Sequence, residues 1–222
     1  MNLAQRRAVE LQHQKAALLR EFAGWRERTQ EGQPEEYRHR EKHYSQVRRV
    51  TSQLEGFIES IEIASDNNAS FEVNERAFTR LLGAFRMWDY FRTRFALRDS
   101  SWLLDDLVCA DELAWECYRP AREKAGEAKQ LDTTLLKEPP LVFFSSEASP
   151  FAQARGTPYA PEGLKERDIN DFGLAVLRLP IPVIGVPWFQ LNHLPAAVVI
   201  GHEVGHAVEH DFALEPVVES LL

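Results

Sequence analysis

The chain has 222 residues, 44% of them hydrophobic and 27% charged, with a formal net charge of −8. This is the composition of a globular protein able to bury a real core. Its acidity speaks against a nucleic-acid partner, which favours a basic face.

Residues 1–60 carry 11 Lys/Arg against 9 Asp/Glu, a near-balance that suits solvated helices laced with ion pairs rather than a basic tail. From Leu3 to about Arg28, apolar residues recur at Leu11, Leu18, Leu19, Phe22 and Trp25, close to a helical period. Gly32-Gln33-Pro34 breaks the pattern. A second helix is expected from Pro34 to Ala64, with Val47, Val50, Leu54, Phe57, Ile58 and Ile61 on its buried side. His13, His39 and His43 lie among charged helical residues and are expected in solvent. Asp66-Asn67-Asn68 is a turn signal.

A third helix is expected from an N-cap at Asn74 to about Leu97. Its aromatic residues, Phe78, Phe85, Trp88, Tyr90, Phe91 and Phe95, suit packing between helices. Asp99-Ser100-Ser101 should cap a fourth helix through about Tyr118, with Pro120 either kinking it or opening a continuation to Gln130. Cys109 and Cys117, eight apart, stand roughly 12 Å apart along that helix, too far for a disulfide. They are expected as reduced thiols partly packed in a core.

The texture changes at 131–140. Leu141-Val142-Phe143-Phe144 reads as a short strand. Residues 145–170 form a long irregular segment, rich in Pro and Gly, of a length that is usually functional. Leu174–Leu179 is a second strand candidate. Pro180 and Pro182 demote the residues after it to an edge strand or turn. The expected fold class is α+β, mostly α. A helical domain at 1–130 is followed at 131–222 by a small β/loop segment and one more helix. No secretory signal is expected, since the N-terminus opens on an amphipathic pattern without an apolar core segment. The most apolar stretch, Leu174–Val186, is too short and broken to span a bilayer. A cytoplasmic protein without a membrane partner is the expectation.

The last helix carries the chemistry. Asn192 is its expected N-cap, Pro195 falls in its first turn, and Pro216 is expected to stop it. His202 and His206, at i and i+4, share one face one turn apart, so both imidazoles can reach a single ion such as Zn²⁺. Glu203 is rotated by roughly 100° from His202, beside that ion rather than on it, where it can serve as general base on a metal-activated water. Gly201 and Gly205 weaken the helix but allow another backbone to come close.

Val199-Ile200-Gly201-His202-Glu203-Val204-Gly205-His206-Ala207-Val208 resembles the signature of the zincin metallopeptidases, over about residues 192–212. The resemblance implies that His202 and His206 bind zinc, that Glu203 is the catalytic base, and that the substrate is a peptide or protein. It also implies a sheet edge on which an extended substrate pairs, with Leu174–Leu179 as the candidate. The metzincin subclass needs a Gly and a His where this chain has Glu209 and Phe212, so the gluzincin pattern fits better.

The third ligand is not evident. His210, eight residues after His202, stands roughly 12 Å along a straight helix from it. A histidine there also resembles some regulator-cleaving peptidases of the anti-repressor type. Glu219 is the gluzincin-like candidate, while Glu215 directly precedes Pro216. Val217-Val218-Glu219-Ser220-Leu221-Leu222 reads as the start of an amphipathic helix, so a further segment carrying the third ligand is expected. His193, Arg155 and Tyr159 are lesser candidates for stabilising an oxyanion. The substrate-binding residues stay open. The N-terminal helices could bind a partner. Two other functions stand beside the peptidase: a non-catalytic binding or regulatory module that retains a zincin-like helix, and a zinc hydrolase of a non-peptide amide.

Overall fold

The structure, a computed structural model, describes residues 3–64, 71–129, 137–159, 178–190 and 194–214, with the backbone alone at 128–129 and 194–197. The fold is α+β and mostly α. Among the described residues no helix is long and apolar enough to cross a membrane. The chain divides into two compact units, Met1–Arg92 with Pro158–Leu177, and Thr93–Thr157 with Arg178–Leu222.

The first unit is helical. α1 (Leu3–Thr29) is followed by a 3-10 turn (Glu35–His43), α2 (Tyr44–Glu59) and the greater part of α3 (Phe71–Ala96). The expected second helix is therefore split. The polar run Glu35–His43 offers no apolar stripe to bury and winds tightly, and the apolar period begins only at Val47. Leu11, Leu18 and Phe22 of α1 join Val50, Leu54, Ile58, Leu81, Trp88 and Phe91 in the core. Trp88 packs edge-on against Phe22 and Trp25 and donates its indole N–H to Glu21 Oε1 at 2.9 Å. Two residues of this unit depart from the expectation. Asn74 is no N-cap: it is buried inside α3, accepting from the Ala64 N–H and donating to the Ala64 and Ala4 carbonyls. His43 is not in solvent: it is buried, with Nδ1 2.6 Å from Gln46 Oε1.

The second unit contains the end of α3, α4 (Leu104–Lys129), a three-stranded sheet and α5 (Leu194–Phe212). The strands are β1 (Leu141–Ser145), β2 (Phe151–Gln153) and β3 (Val183–Pro187), in the order β1-β3-β2. β1 runs parallel to β3 and β2 antiparallel to it. The prolines at 180 and 182 thus precede the central strand rather than marking an edge. β3 is buried along its whole length because helices cover its Ile184 and Val186 side and Phe151 its other side. Gly185 makes that second cover possible, since a Cβ there would lie 2.4 Å from Phe151 Cε1. β2 falls inside the segment read as irregular. Residues 160–177, including most of the strand candidate Leu174–Leu179, lie outside the described residues.

α4 packs on this sheet. The reason is its apolar stripe: Ala110, Ala114 and Tyr118 form one core with Val142, Ile184, Val186, Ile200 and Val204. Pro120 sits inside α4 without ending it. Arg98 is buried and forks onto Asp111, Nε–Oδ2 2.9 Å and Nη2–Oδ1 2.6 Å, while also donating to the Val142 carbonyl. That contact ties the start of α4 to β1. Cys109 and Cys117 are free and exposed, not packed in the core as expected.

Candidate metal centre

α5 follows β3 after one 3-10 turn, Trp188–Gln190. The expected cap Asn192 and the candidate His193 lie outside the described residues. Ile200, Val204, Ala207 and Asp211 are buried, a stripe at i, i+4, i+7 and i+11 facing the sheet and α4. The opposite stripe is in solvent and carries Val198, His202, Gly205 and His206. The helix ends at Phe212, before Pro216. Ala213 takes a left-handed conformation (φ 55°), and the Leu214 N–H reaches back to the Glu209 carbonyl at 2.9 Å.

The two histidines converge as the spacing requires. His202 Nε2 and His206 Nε2 are 3.2 Å apart, with the rings at 82° to one another. With metal–nitrogen bonds of about 2.0–2.1 Å, two nitrogens 3.2 Å apart subtend about 100° at an ion, close to a tetrahedral angle. The donor set therefore fits Zn²⁺ at two positions. The same separation suits one imidazole N–H donating to the other ring's lone pair when no ion is bound. On the far side of the His206 ring, Nδ1 is 3.8 Å from Glu209 Oε2, within reach of an orienting carboxylate.

Glu203 sits where the buried and exposed stripes meet. It is 8% exposed, and among the described residues its carboxylate has no hydrogen-bond or ion-pair partner.

No third donor joins the pair among the described residues, where no group of three or more His, Cys, Asp or Glu is placed to hold a metal ion. The His210 side chain is exposed and stands 4.0 Å from Asp211 Oδ1. Glu215 and Glu219 lie outside the described residues. The two oxyanion candidates that are described have other work. Arg155 is an internal clamp, donating to Asp211, Glu138 and the Pro180 carbonyl. Tyr159 belongs to the first unit, where it packs on Tyr90 and donates to the Arg86 carbonyl at 3.3 Å.

The reading from sequence missed a buried polar knot around Asp211. Tyr118 donates to Asp211 Oδ2 at 2.7 Å, Arg155 Nε to Oδ1 at 3.1 Å, and Lys137 to the Asp211 carbonyl. Burial, reinforced by the Asp211 charge, pushes the Tyr118 hydroxyl well above its ordinary value of 10.0. Burial works against the Arg155 charge, but Asp211 and Glu138 outweigh it and hold the guanidinium ionised. A signal was available: Asp211 is an acid on an otherwise apolar stripe.

Gly205 also departs from expectation. Among the described residues a Cβ at Gly205 would meet nothing within 4 Å, so none of their backbone comes close there. A Cβ at Gly201 would lie at ordinary contact distance, 3.5 Å, from Cys117 Sγ. Each glycine gives up about 1 kcal/mol of helix stability against alanine without a packing need. Comparison with protein-family models, with curated proteins and with solved structures finds no match to this chain.

Proposed function

We propose that the chain is a zinc-dependent metallopeptidase of the zincin type, in which His202 and His206 hold the ion and Glu203 is the general base. The observation that carries this reading is the approach of two imidazole Nε2 atoms to 3.2 Å on the helix that also carries the buried Glu203. When bound, zinc would supply Lewis-acid polarisation of a peptide carbonyl and acidify the attacking water. The protein's own share is proton handling. Glu203 takes a proton from the attacking water as the oxygen adds to the carbonyl carbon. It then delivers that proton to the nitrogen of the leaving amine as the C–N bond breaks. A carboxylate engaged in an ion pair would be a poorer base, and Glu203 has none among the described residues.

The substrate is a peptide or protein, not a nucleic acid or a membrane. His210 and Glu219 remain the candidates for the third ligand. The N-terminal helices would act as a propeptide-like cover, a substrate-selecting domain or an interaction module for a partner. The exposed free thiols of Cys109 and Cys117 suit a reducing compartment, hence the cytoplasm.

A second reading, a non-catalytic module keeping this helix, draws on the absence of a third donor among the described residues. Zinc content and peptide hydrolysis separate the two. The peptidase binds about one zinc per chain and loses it in His202→Ala. Glu203→Gln keeps the zinc and loses hydrolysis. Hydrolysis that survives in Glu203→Gln removes the proposed base, and a chain that takes up no zinc removes the peptidase.

A further inference from the structure

We propose that Glu209 is the positioning residue of the histidine pair. It holds the proton of the His206 ring on Nδ1, so that the Nε2 lone pair stays turned toward His202 and the ion. The proposal rests on the metal-binding reading of His202 and His206, and it names which of the two is prepared before an ion arrives.

A neutral imidazole has one N–H and one nitrogen lone pair. Ligation through Nε2 therefore requires the proton to sit on Nδ1, and the partner of Nδ1 decides whether it does. Around His206 the two nitrogens face different groups. Nε2 is 3.2 Å from His202 Nε2, and Nδ1 is 3.8 Å from Glu209 Oε2. The sequence sets this arrangement. Residues three apart are neighbours on a helix surface, and helical side chains lean toward the N-terminus, so a carboxylate at 209 falls back on the ring at 206. The residue three after His202 is Gly205, which gives that ring no such partner. Closing the gap from 3.8 Å to a hydrogen bond of about 2.9 Å takes about 1 Å of movement at the tip of a glutamate side chain.

The pair is too open to water, 55% and 32% exposed, to add much to folding. Its effect is on where the proton sits. An isolated histidine side chain favours the Nε2–H form, so the opposite tautomer at His206 is diagnostic. The selection also propagates along the face. With its proton on Nδ1, His206 can only accept at Nε2, so the 3.2 Å contact obliges His202 to donate from its own Nε2–H. Without metal the three residues form a one-way chain, from the His202 N–H to His206 Nε2 and from the His206 Nδ1–H to Glu209. His206 is then ready to ligate. His202 must first give up its Nε2 proton to water and take one back on Nδ1.

The test uses the full chain, first without metal. Nitrogen NMR of the imidazole rings at about pH 8, above the ordinary imidazole range, is expected to show His206 as Nδ1–H and His202 as Nε2–H. Glu209→Ala should return His206 mainly to Nε2–H, and Glu209→Gln, whose amide oxygen still accepts, should keep much of the Nδ1–H form. Zinc is then titrated against a competing chelator. Glu209→Ala is expected to lose about 10–100-fold in affinity, and Glu209→Gln less. The metal-free Tm of Glu209→Gln should be no lower than that of the wild type, because an acid in the last turn of a helix opposes its dipole. Cobalt(II) in place of zinc should give the same absorption spectrum in the wild type and in Glu209→Ala, since no ligand is lost. A wild-type His206 in the Nε2–H form, a tautomer unmoved in Glu209→Ala, or an unchanged zinc affinity overturns the proposal. A changed cobalt spectrum makes Glu209 a ligand and overturns it as well. The expected tautomers in a wild type that takes up no zinc would uphold the Glu209–His206 pairing and remove the metallopeptidase reading, so the two failures are told apart.

Discussion

Replacing Arg155 by leucine tests what holds the last turn of α5. Arg155 donates to Asp211 Oδ1 (3.1 Å), Glu138 Oε2 (3.0 Å), the Pro180 carbonyl (2.6 Å) and the Glu138 carbonyl (2.8 Å). Leucine removes these and the longer Nη2 contact to Asp211 Oδ2 (3.5 Å), and among the described residues leaves the Asp211 carboxylate, 1% exposed, with the Tyr118 hydroxyl, Lys137 Nζ at 3.6 Å and His210 Nδ1 at 4.0 Å. Removing one partner from a buried ion pair destabilises by about 3–5 kcal/mol. Lys137 keeps some compensation, so the lower end, about 3 kcal/mol, is expected. With a urea slope of about 2 kcal/mol/M, the midpoint of the transition reporting this unit falls by roughly 1.5 M. Far-UV circular dichroism at pH 7 measures it. Arg155→Lys should recover part of the loss, because it restores the charge without the planar fork. A midpoint shift below about 0.5 M in Arg155→Leu, with an unchanged slope, would refute the view that this knot supports the helix.

Two further outcomes are expected in the same unit. The folded-state pKa of Tyr118 lies above its ordinary 10.0, so its contribution is present below that value and is lost as the pH rises toward the folded pKa. Above pH 10, wild-type stability should therefore fall by up to about 1.4 kcal/mol per pH unit more steeply than that of Tyr118→Phe, as read from urea midpoints at graded pH. Equal slopes would show that the hydroxyl is not shielded. Gly185→Ala should destabilise by about 1–3 kcal/mol by driving Phe151 off β3, and pairing it with Phe151→Ala should relieve part of that loss. Simple additivity of the two changes would mean that the ring does not need the missing Cβ.

The periodic parts of the fold were legible in the chain. Leu3–Thr29 follows its apolar spacing, and Leu141–Ser145 its short β-like run. What was not legible depends on partners distant in sequence. Val183–Pro187 looked like an edge because two prolines precede it, but a strand's place in a sheet is set by what packs on its faces. Phe151, 34 residues earlier by register with Gly185, supplies one of those faces. Asn74 looked like a cap because its side chain bonds backbone groups, and it does so from inside α3, to Ala64 and Ala4. At the candidate centre, the i, i+4 spacing was enough to foresee the imidazole contact, since both residues ride on one helix. The solvation of Gly205 and the burial of Glu203 could not be foreseen, because both depend on which side of α5 the sheet and α4 cover.

The strand order has a consequence for how the protein is made. Among the described residues β1 and β2 each pair with β3 alone, and β3 is the last of the three to leave the ribosome. Until Val183–Pro187 emerges, the earlier strands have no common neighbour, and Ile184 and Val186 are missing from the core beneath α4. α5 is the next described helix after β3 and the 3-10 turn Trp188–Gln190, so sheet closure and seating of the histidine helix fall close together during synthesis. A nascent or interrupted chain would carry its N-terminal helices without a working site. On the peptidase reading, a protein that cuts other chains thereby stays inert during the interval when its own unfinished strands are exposed.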